Sequence, residues 1–309
     1  MLSFRALVLG AAITGLAACG GSSGSQRTGD ISLGLTDAPV DHLERVQLTI
    51  NAVGLKPAQP GEIRLDLDEP LVVDDLLALQ NGSFQAVLPT TEVPAGRYNW
   101  IRLYVQAGTD HTYVVDDQGG QHPLYLPGQQ SGNDQERHLQ LVSGFQVPVD
   151  GEINLMLDVD LRRAITRPQS GNHYLLRPAM RLLDLSETGT IIGSVADALI
   201  TAEECTADPN TGAGNVVYLY EGSDRTPGDI HVDEQGEPLS PDSPLATANV
   251  RQDAGIWQFT LDFVPAGDYT VAFSCQGLDD DPQQEDDIVF ADSVNVSVAV
   301  EEESVVSFE

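Results

Sequence analysis

The chain reads as short segments in which apolar and polar positions alternate. Ile31, Leu33 and Leu35 alternate with Ser32, Gly34 and Thr36, and Val46, Leu48, Ile50 and Ala52 with Gln47, Thr49 and Asn51. Ile63, Leu65 and Leu67 continue the pattern, as do Ile101, Leu103 and Val105, and then Ile153, Leu155, Leu157 and Val159. A period of two puts successive side chains on opposite faces of extended backbone, so each segment predicts a strand with one face buried and one wet. Trp100 and Tyr104 on the other face of the Ile101–Val105 segment predict that it is covered on both sides. Polar turns separate the segments, as at Asn81-Gly82 and Ser131-Gly132-Asn133. Asp74-Asp75-Leu76-Leu77-Ala78-Leu79 departs from the alternation and predicts one short helix with carboxylates at its N-terminus.

After a polar join, Ser186-Glu187-Thr188-Gly189, strand signals resume at Ile191–Val195, Val216–Tyr220 and the alternating Trp257, Phe259, Leu261 and Phe263. Tyr269, Val271, Phe273 and Cys275 share one face of the next strand, and Val294, Val296, Val298 and Val300 one face of a late strand. Val93-Pro94-Ala95-Gly96-Arg97-Tyr98 and Val264-Pro265-Ala266-Gly267-Asp268-Tyr269 launch a strand from a tight turn in each half; we read them as one solution to the same corner, not as a repeat. Short strands at this spacing predict an all-β chain of two sandwich-like domains in tandem, residues 30–185 and 189–309.

The first residues form neither. Met1–Ala18 carries Arg5 and then an apolar run too short to span a membrane comfortably, with the proportions of a signal-peptide core. It ends Leu16-Ala17-Ala18-Cys19-Gly20, which resembles a lipobox, the cleavage motif that leaves a diacylglyceryl-modified cysteine. Several acyl chains on Cys19 would suffice for stable anchoring in the membrane. The Gly/Ser run within residues 19–29 then serves as a flexible tether. The expected location is the cell envelope, and the outer membrane if the host is Gram-negative.

Charge narrows the partners. There are 47 acids and 15 bases for a net −32, and Lys56 is the only lysine. From Gly189 onward 25 acids meet only Arg225 and Arg251. Such a surface repels phosphate backbones, which excludes nucleic acid as a natural partner. Once Cys19 is set aside, Cys205 and Cys275 remain as a pair, and in an oxidising compartment an isolated pair predicts a disulfide.

Three clusters are candidate sites. Asp37, in Thr36-Asp37-Ala38-Pro39, reads either as a ligand or as a cap on the loop leaving the first strand; capping is the favoured reading. Arg162, Arg163, Arg167, Arg177 and Arg181 could hold an acidic sugar or lipid phosphate, but pairing with local carboxylates such as Asp158, Asp160 and Asp184 is favoured. Asp279, Asp280, Asp281, Glu285, Asp286 and Asp287 offer oxygens to calcium, yet match no EF-hand spacing and read rather as a solvated, self-repelling loop.

No HExxH, GxSxG or GxxxxGK[ST] pattern occurs, and the six histidines (His42, His111, His122, His138, His173, His231) are scattered. Carboxylate pairs are so abundant that their proximity carries no information about a glycosidase-like site.

The blocks "LGLTDAPVDHLERVQLTINAVGL", "VDDLLALQNG", "VPAGRYNWIRLYV" and "LMLDVDLRRAI…YLLRPAMRL", in this order, resemble the DUF4382 family, a lipoprotein-associated domain of unassigned function, and imply no activity. The later pattern "GTIIGSVAD…NVVYLYEG…WQFTLDFVPAGDYTVAF…VSV" is similar to the carboxypeptidase-regulatory or transthyretin-like sandwiches that overlap the starch-binding-like group. That similarity implies a spacer or binding accessory. The expectation is a lipid-anchored, non-catalytic binding module without a cofactor, with polysaccharide as the first ligand class because Trp, Tyr and polar strand faces stack on sugars. A spacer that binds another envelope protein through its strand edges is the alternative, and a hydrolase the third reading.

Overall fold

Alternation becomes strands throughout the computed structural model, which describes residues 27–38, 42–80, 82–129, 132–168 and 171–309. The leader, Cys19, Pro39, Asn81 and Ser131 lie outside the described residues. The first half contributes β1 (Thr28–Ala38), β2 (Leu43–Pro57), β3 (Ile63–Val73), β4 (Gln85–Pro94), β5 (Gly96–Gln106), β6 (Tyr113–Asp116) and β7 (Gln121–Tyr125). It continues with β8 (Glu136–Leu141), β9 (Phe145–Val147), β10 (Glu152–Asp160), a one-turn helix α1 (Leu161–Ala164), β11 (Ile165–Thr166), β12 (Tyr174–Leu176) and β13 (Met180–Asp184). The second half holds β14 (Thr188–Val195), α2 (Asp197–Ile200), β15 (Val216–Glu221), β16 (Ala246–Asn249), β17 (Arg251–Asp253), β18 (Ile256–Pro265), β19 (Gly267–Ser274), β20 (Asp292–Val298) and β21 (Glu303–Phe308).

Two sheets face each other in each half. In the first, β13-β10-β1-β4 opposes a nine-stranded sheet built on β11-β12-β7-β6-β2-β5-β8, with β3 beside β2 and β9 beside β5. In the second, β17-β18-β14-β21 opposes β16-β15-β19-β20. The alternating residues form the cores: Ile31, Leu33, Leu35, Val46, Leu48 and Ile50 are buried in one, Phe259, Val271, Phe273 and Phe308 in the other. Each fully buried Leu, Ile or Phe contributes roughly 1.5–3 kcal/mol relative to exposure.

Where the alternation slips, the structure shows why. A bulge between Ile50 and Ala52 shifts the parity of β2, so Val53 and Leu55 also reach the core. Phe263 has φ 54°, and past it Val264 takes the inward position. The late strand stops at Val298, leaving Val300 exposed. The predicted short helix is a single 3₁₀ turn, Leu76–Ala78, capped by the Asp75 carboxylate, which accepts from the Leu77 N–H at 3.1 Å.

The two corners are more alike than the sequence suggests, and the likeness extends to the fold. Tyr98 donates its hydroxyl to the Pro94 carbonyl at 2.8 Å, and Tyr269 does the same to Pro265 at 2.8 Å. The Ala95 N–H bonds Arg27 O, and Ala266 bonds Glu187 O; Asp150 bonds Thr28 O, and Glu301 bonds Thr188 O. Asp150 and Glu301 are both left-handed, with φ 52° and 57°. A Cβ on Gly29 would lie 2.0 Å from Pro148 O, and one on Gly189 2.2 Å from Ala299 O, so both positions require glycine. β1 runs antiparallel to β4 and parallel to β10, as β14 does to β18 and β21. Across the sandwich, β2 pairs with β5 as β15 pairs with β19. The reading of an isolated corner is therefore corrected: one core topology is used twice.

Candidate functional site

Three places carry polar chemistry, and the first is the outer face of β5. The register of β5 shifts between Trp100 and Tyr98, so Tyr98 turns inward onto Phe145 while Trp100 turns outward. From there Trp100, Arg102 and Tyr104 stand on one face opposite Lys56, Gly54 and Ala52 of β2, with Gln140 and His138 of β8 on the other side. The small residues of β2 leave room for the side chains across them. A Cβ on Gly54 would lie 2.4 Å from Glu62 Oε1 and 3.0 Å from the Tyr104 ring.

The Arg102 guanidinium lies 4.0 Å from the centre of the Trp100 ring and that of Arg64 4.0 Å from Tyr104. Glu62 accepts from Arg102 Nη1 at 2.9 Å and from the Tyr104 hydroxyl at 2.6 Å; Arg102 Nε donates to Gln140 at 2.8 Å. Arg64 donates twice to Glu136, at 2.9 and 3.2 Å, and these bonds hold the Glu136 carboxyl below its usual pKa. The expected second cover of β5 is thus corrected: the cover consists of arginine side chains over half-buried rings, and among the described residues no further sheet packs there. Trp257, the other tryptophan, is buried in the second core. The ring surface that the arginines leave uncovered, bordered by fixed donors and acceptors, suits a ligand with apolar C–H faces and many hydroxyls.

The second place is the junction between the sandwiches. β10 is buried on both faces from Leu155 to Asp160, and Asp158 on its outer side lines a cavity shared with the second half. All four residues of α1 are buried, and Asp160 caps it by accepting from the Arg163 N–H at 3.2 Å. Arg162 donates to Gly277 O at 3.1 Å and to Asn249 Oδ1 at 3.2 Å. Arg163 pairs with Asp160 at 3.1 Å and donates to the Pro244 carbonyl. Arg177 reaches Asp233 O at 3.2 Å, and Arg251 crosses back to Gln80 at 2.7 Å. Pairing with Asp158 and Asp160 is as expected for Arg181 and Arg163. Asp184 instead caps the turn at Leu185–Glu187. The sequence reading missed the larger role, since these arginines join the two halves. The available signal was two arginines inside the otherwise apolar run Leu161–Ile165.

The third place is the acidic loop, where Asp279, Glu285 and Asp287 are exposed as expected but the solvated reading is corrected for Asp280. Asp280 is 6% exposed, accepts from the Tyr218 hydroxyl at 2.8 Å and from the Ile230 N–H at 3.2 Å, and converges with Asp286 and Asp229 within 4.8 Å. Asp279, Asp281, Glu285 and Asp287 are not part of this trio. Three carboxylates at that spacing match the hard oxygen donors calcium takes, though they supply only part of its six to eight oxygens. Burial pushes Asp280 up to about 6, against the lowering effects of the Tyr218 bond and the Arg162 charge, and burial also raises Asp286 and Asp262. A carboxyl raised in the folded state gives stability that is complete below its unfolded pKa of about 3.9 and is lost as pH rises through the folded value. The melting temperature is therefore expected to be higher at pH 5 than at pH 7.5. Asp280 alone accounts for roughly 1.4 kcal/mol of the difference between pH 5 and pH 7.5, and D280N flattens the profile. A wild-type melting temperature that falls on acidification to pH 5 contradicts this assignment.

Cys205 and Cys275 form the expected disulfide, linking the loop after α2 to the end of β19. Asp37 does not cap its loop: it is 7% exposed and neither carboxylate oxygen makes a hydrogen bond. No helix among the described residues is long and apolar enough to cross a membrane.

Residues 28–178 match the family described as "Domain of unknown function (DUF4382)", in agreement with the resemblance seen in the first half. No curated protein matches the sequence. Among solved structures, the chain is similar to the Bacillus anthracis TIE protein, with 12% identity, 91% of this chain, 33% of that one and a TM-score of 0.19. It thus spans about a third of that protein's length. A Bacteroides ovatus protein described as an adhesin candidate gives 9% identity, 91% and 89% coverage and a TM-score of 0.20. GBS52, the minor pilin of Streptococcus agalactiae, gives 12% identity, 90% and 94% coverage and a TM-score of 0.20. At such TM-scores these likenesses carry neither a fold assignment nor a function.

Proposed function

We propose that this chain is a non-catalytic binding module of the cell envelope, anchored by acyl chains on Cys19, and that its ligand is a carbohydrate polymer. The leader ending Leu16–Gly20 supports the anchor and its location. The outer face of β5 carries the ligand reading: Trp100 and Tyr104 are two half-buried rings in register on one strand, each partly covered by an arginine and bordered by Glu62, Gln140 and His138. Sugar rings stack their C–H faces on aromatic planes while their hydroxyls take the flanking donors and acceptors. Residues 30–185 and 189–309 form its two domains, the second related to the transthyretin-like sandwiches. A neutral or basic glycan is favoured, since acidic polymers meet a net charge of −32.

The spacer reading keeps one observation of its own: Val305 is 73% exposed on β21, the last strand of its sheet. A glycan array probed with the purified full chain separates the two. Specific binding that falls at least tenfold in W100A, about 1.4 kcal/mol, supports the carbohydrate reading. An array without a hit, together with pull-down of a single envelope protein, supports the spacer.

A further inference from the structure

Between the two halves lies a cavity of about 40 Å³, lined by Thr36, Asp37, Asp158 and Arg181 of the first half and by Thr247 and Asp262 of the second. Its walls hold an unusual concentration of unmet polar atoms. Both oxygens of Asp37, Oγ1 of Thr247, Oδ2 of Asp262 and Nη1 of Arg181 are buried without a hydrogen-bond partner. Asp37 and Thr247 are 7% and 3% exposed. Burial, followed by the charges of Asp158 and Asp160, pushes the Asp37 carboxyl well above the usual carboxylate range, against the smaller opposing effects of Gln80 and the Leu161 N–H. A buried polar group without a partner costs about 1–3 kcal/mol, and a charged one more, so several in one cavity point to an occupant.

Charge and size identify its class. Arg181 is matched by its pairing with Asp158, which leaves the Asp37 and Asp262 carboxyls without a cationic partner. Thr190 donates to Asp262 Oδ1 at 3.2 Å and does not neutralise it. Every free acceptor is an oxygen, the donor type hard divalent cations take. The volume suits roughly three waters, or one ion with part of its hydration shell, and no organic molecule. Asp158 and Asp160 make the field at Asp37 negative, so a cation is favoured there and takes the place of the carboxyl proton.

We propose that this cavity binds a divalent cation of the calcium class, with Asp37 as its direct carboxylate ligand and water carrying its field to Thr247 and Asp262. The ion then bridges the two sandwiches and stiffens their junction. This site is separate from the trio Asp229, Asp280 and Asp286, whose carboxylates already hold hydrogen bonds from Tyr218, Ile230, Asp281 and Asp286 itself.

The test is thermal melting of the full chain at pH 7.5 with and without millimolar calcium, in wild type, D37N, T247V and D286N. The expected result is a rise of several degrees in wild type and D286N, none in D37N, and at least tenfold weaker apparent affinity in T247V. D37N keeps the shape of the side chain and removes a buried charge, so it is expected to fold; T247V leaves every charge in place and reads the same site independently. No rise in wild type overturns the proposal, as does a rise that survives D37N or disappears in D286N.

Discussion

Arg163→Ala is expected to destabilise the protein by about 3–5 kcal/mol, because it removes one partner of a buried ion pair. Arg163 is 8% exposed and Asp160 6%. With the guanidinium gone, Asp160 keeps its charge in a site that water does not reach, and the Pro244 carbonyl across the junction loses its donor. At roughly 2–4 °C per kcal/mol for domains of this size, the melting temperature should fall on the order of 10 °C. The loss should also split unfolding into two calorimetric transitions, one per sandwich, because Arg163 stands in the contact between them. A wild-type-like melting curve for the variant would show that the junction does not depend on this arginine.

The second large effect is the disulfide. Cys205→Ser with Cys275→Ser opens a loop with a sequence separation of 70 residues, and the chain-entropy account puts the loss at roughly 4 kcal/mol. The cost should fall on the second sandwich, where Cys275 is buried at the end of β19 against the core. The loop Ala202–Ala207 is held to that strand through the Thr206 and Ala207 N–H bonds to Cys275 O, and should become protease-sensitive. Thermal melts under reducing and non-reducing conditions check this: reductant should lower the wild-type midpoint toward that of the double variant. An equal midpoint in all samples would contradict it.

Much of the fold was legible because burial imposes a period. Ile31-Leu33-Leu35 and Tyr269-Val271-Phe273 could be placed in cores from their spacing alone, and the disulfide from the compartment the leader implies. The failures share a cause: they are tertiary. Arg162 and Arg163 look like solvated charges until the second half closes over α1, and Asp280 until Tyr218 and the Ile230 backbone donate to it. Asp37 reads as a loop cap because Asp so often caps, yet it is buried in the wall of a cavity that both halves line. The common topology of the halves was hidden because its markers are few: a glycine under a carbonyl, a left-handed residue, and a tyrosine four positions after a proline. On β5 the alternation revealed the rings but not the guanidinium groups over them, since Arg64 comes from another strand.

The most direct measurement of the proposed function is the footprint a bound oligosaccharide leaves on the full chain, read by hydrogen–deuterium exchange with and without the strongest glycan from the array. Slowed exchange confined to residues 51–57, 62–66, 98–106 and 136–141 is the predicted result. Protection along β21 instead, or a bound glycan that leaves β5 and its neighbours unchanged, would contradict it.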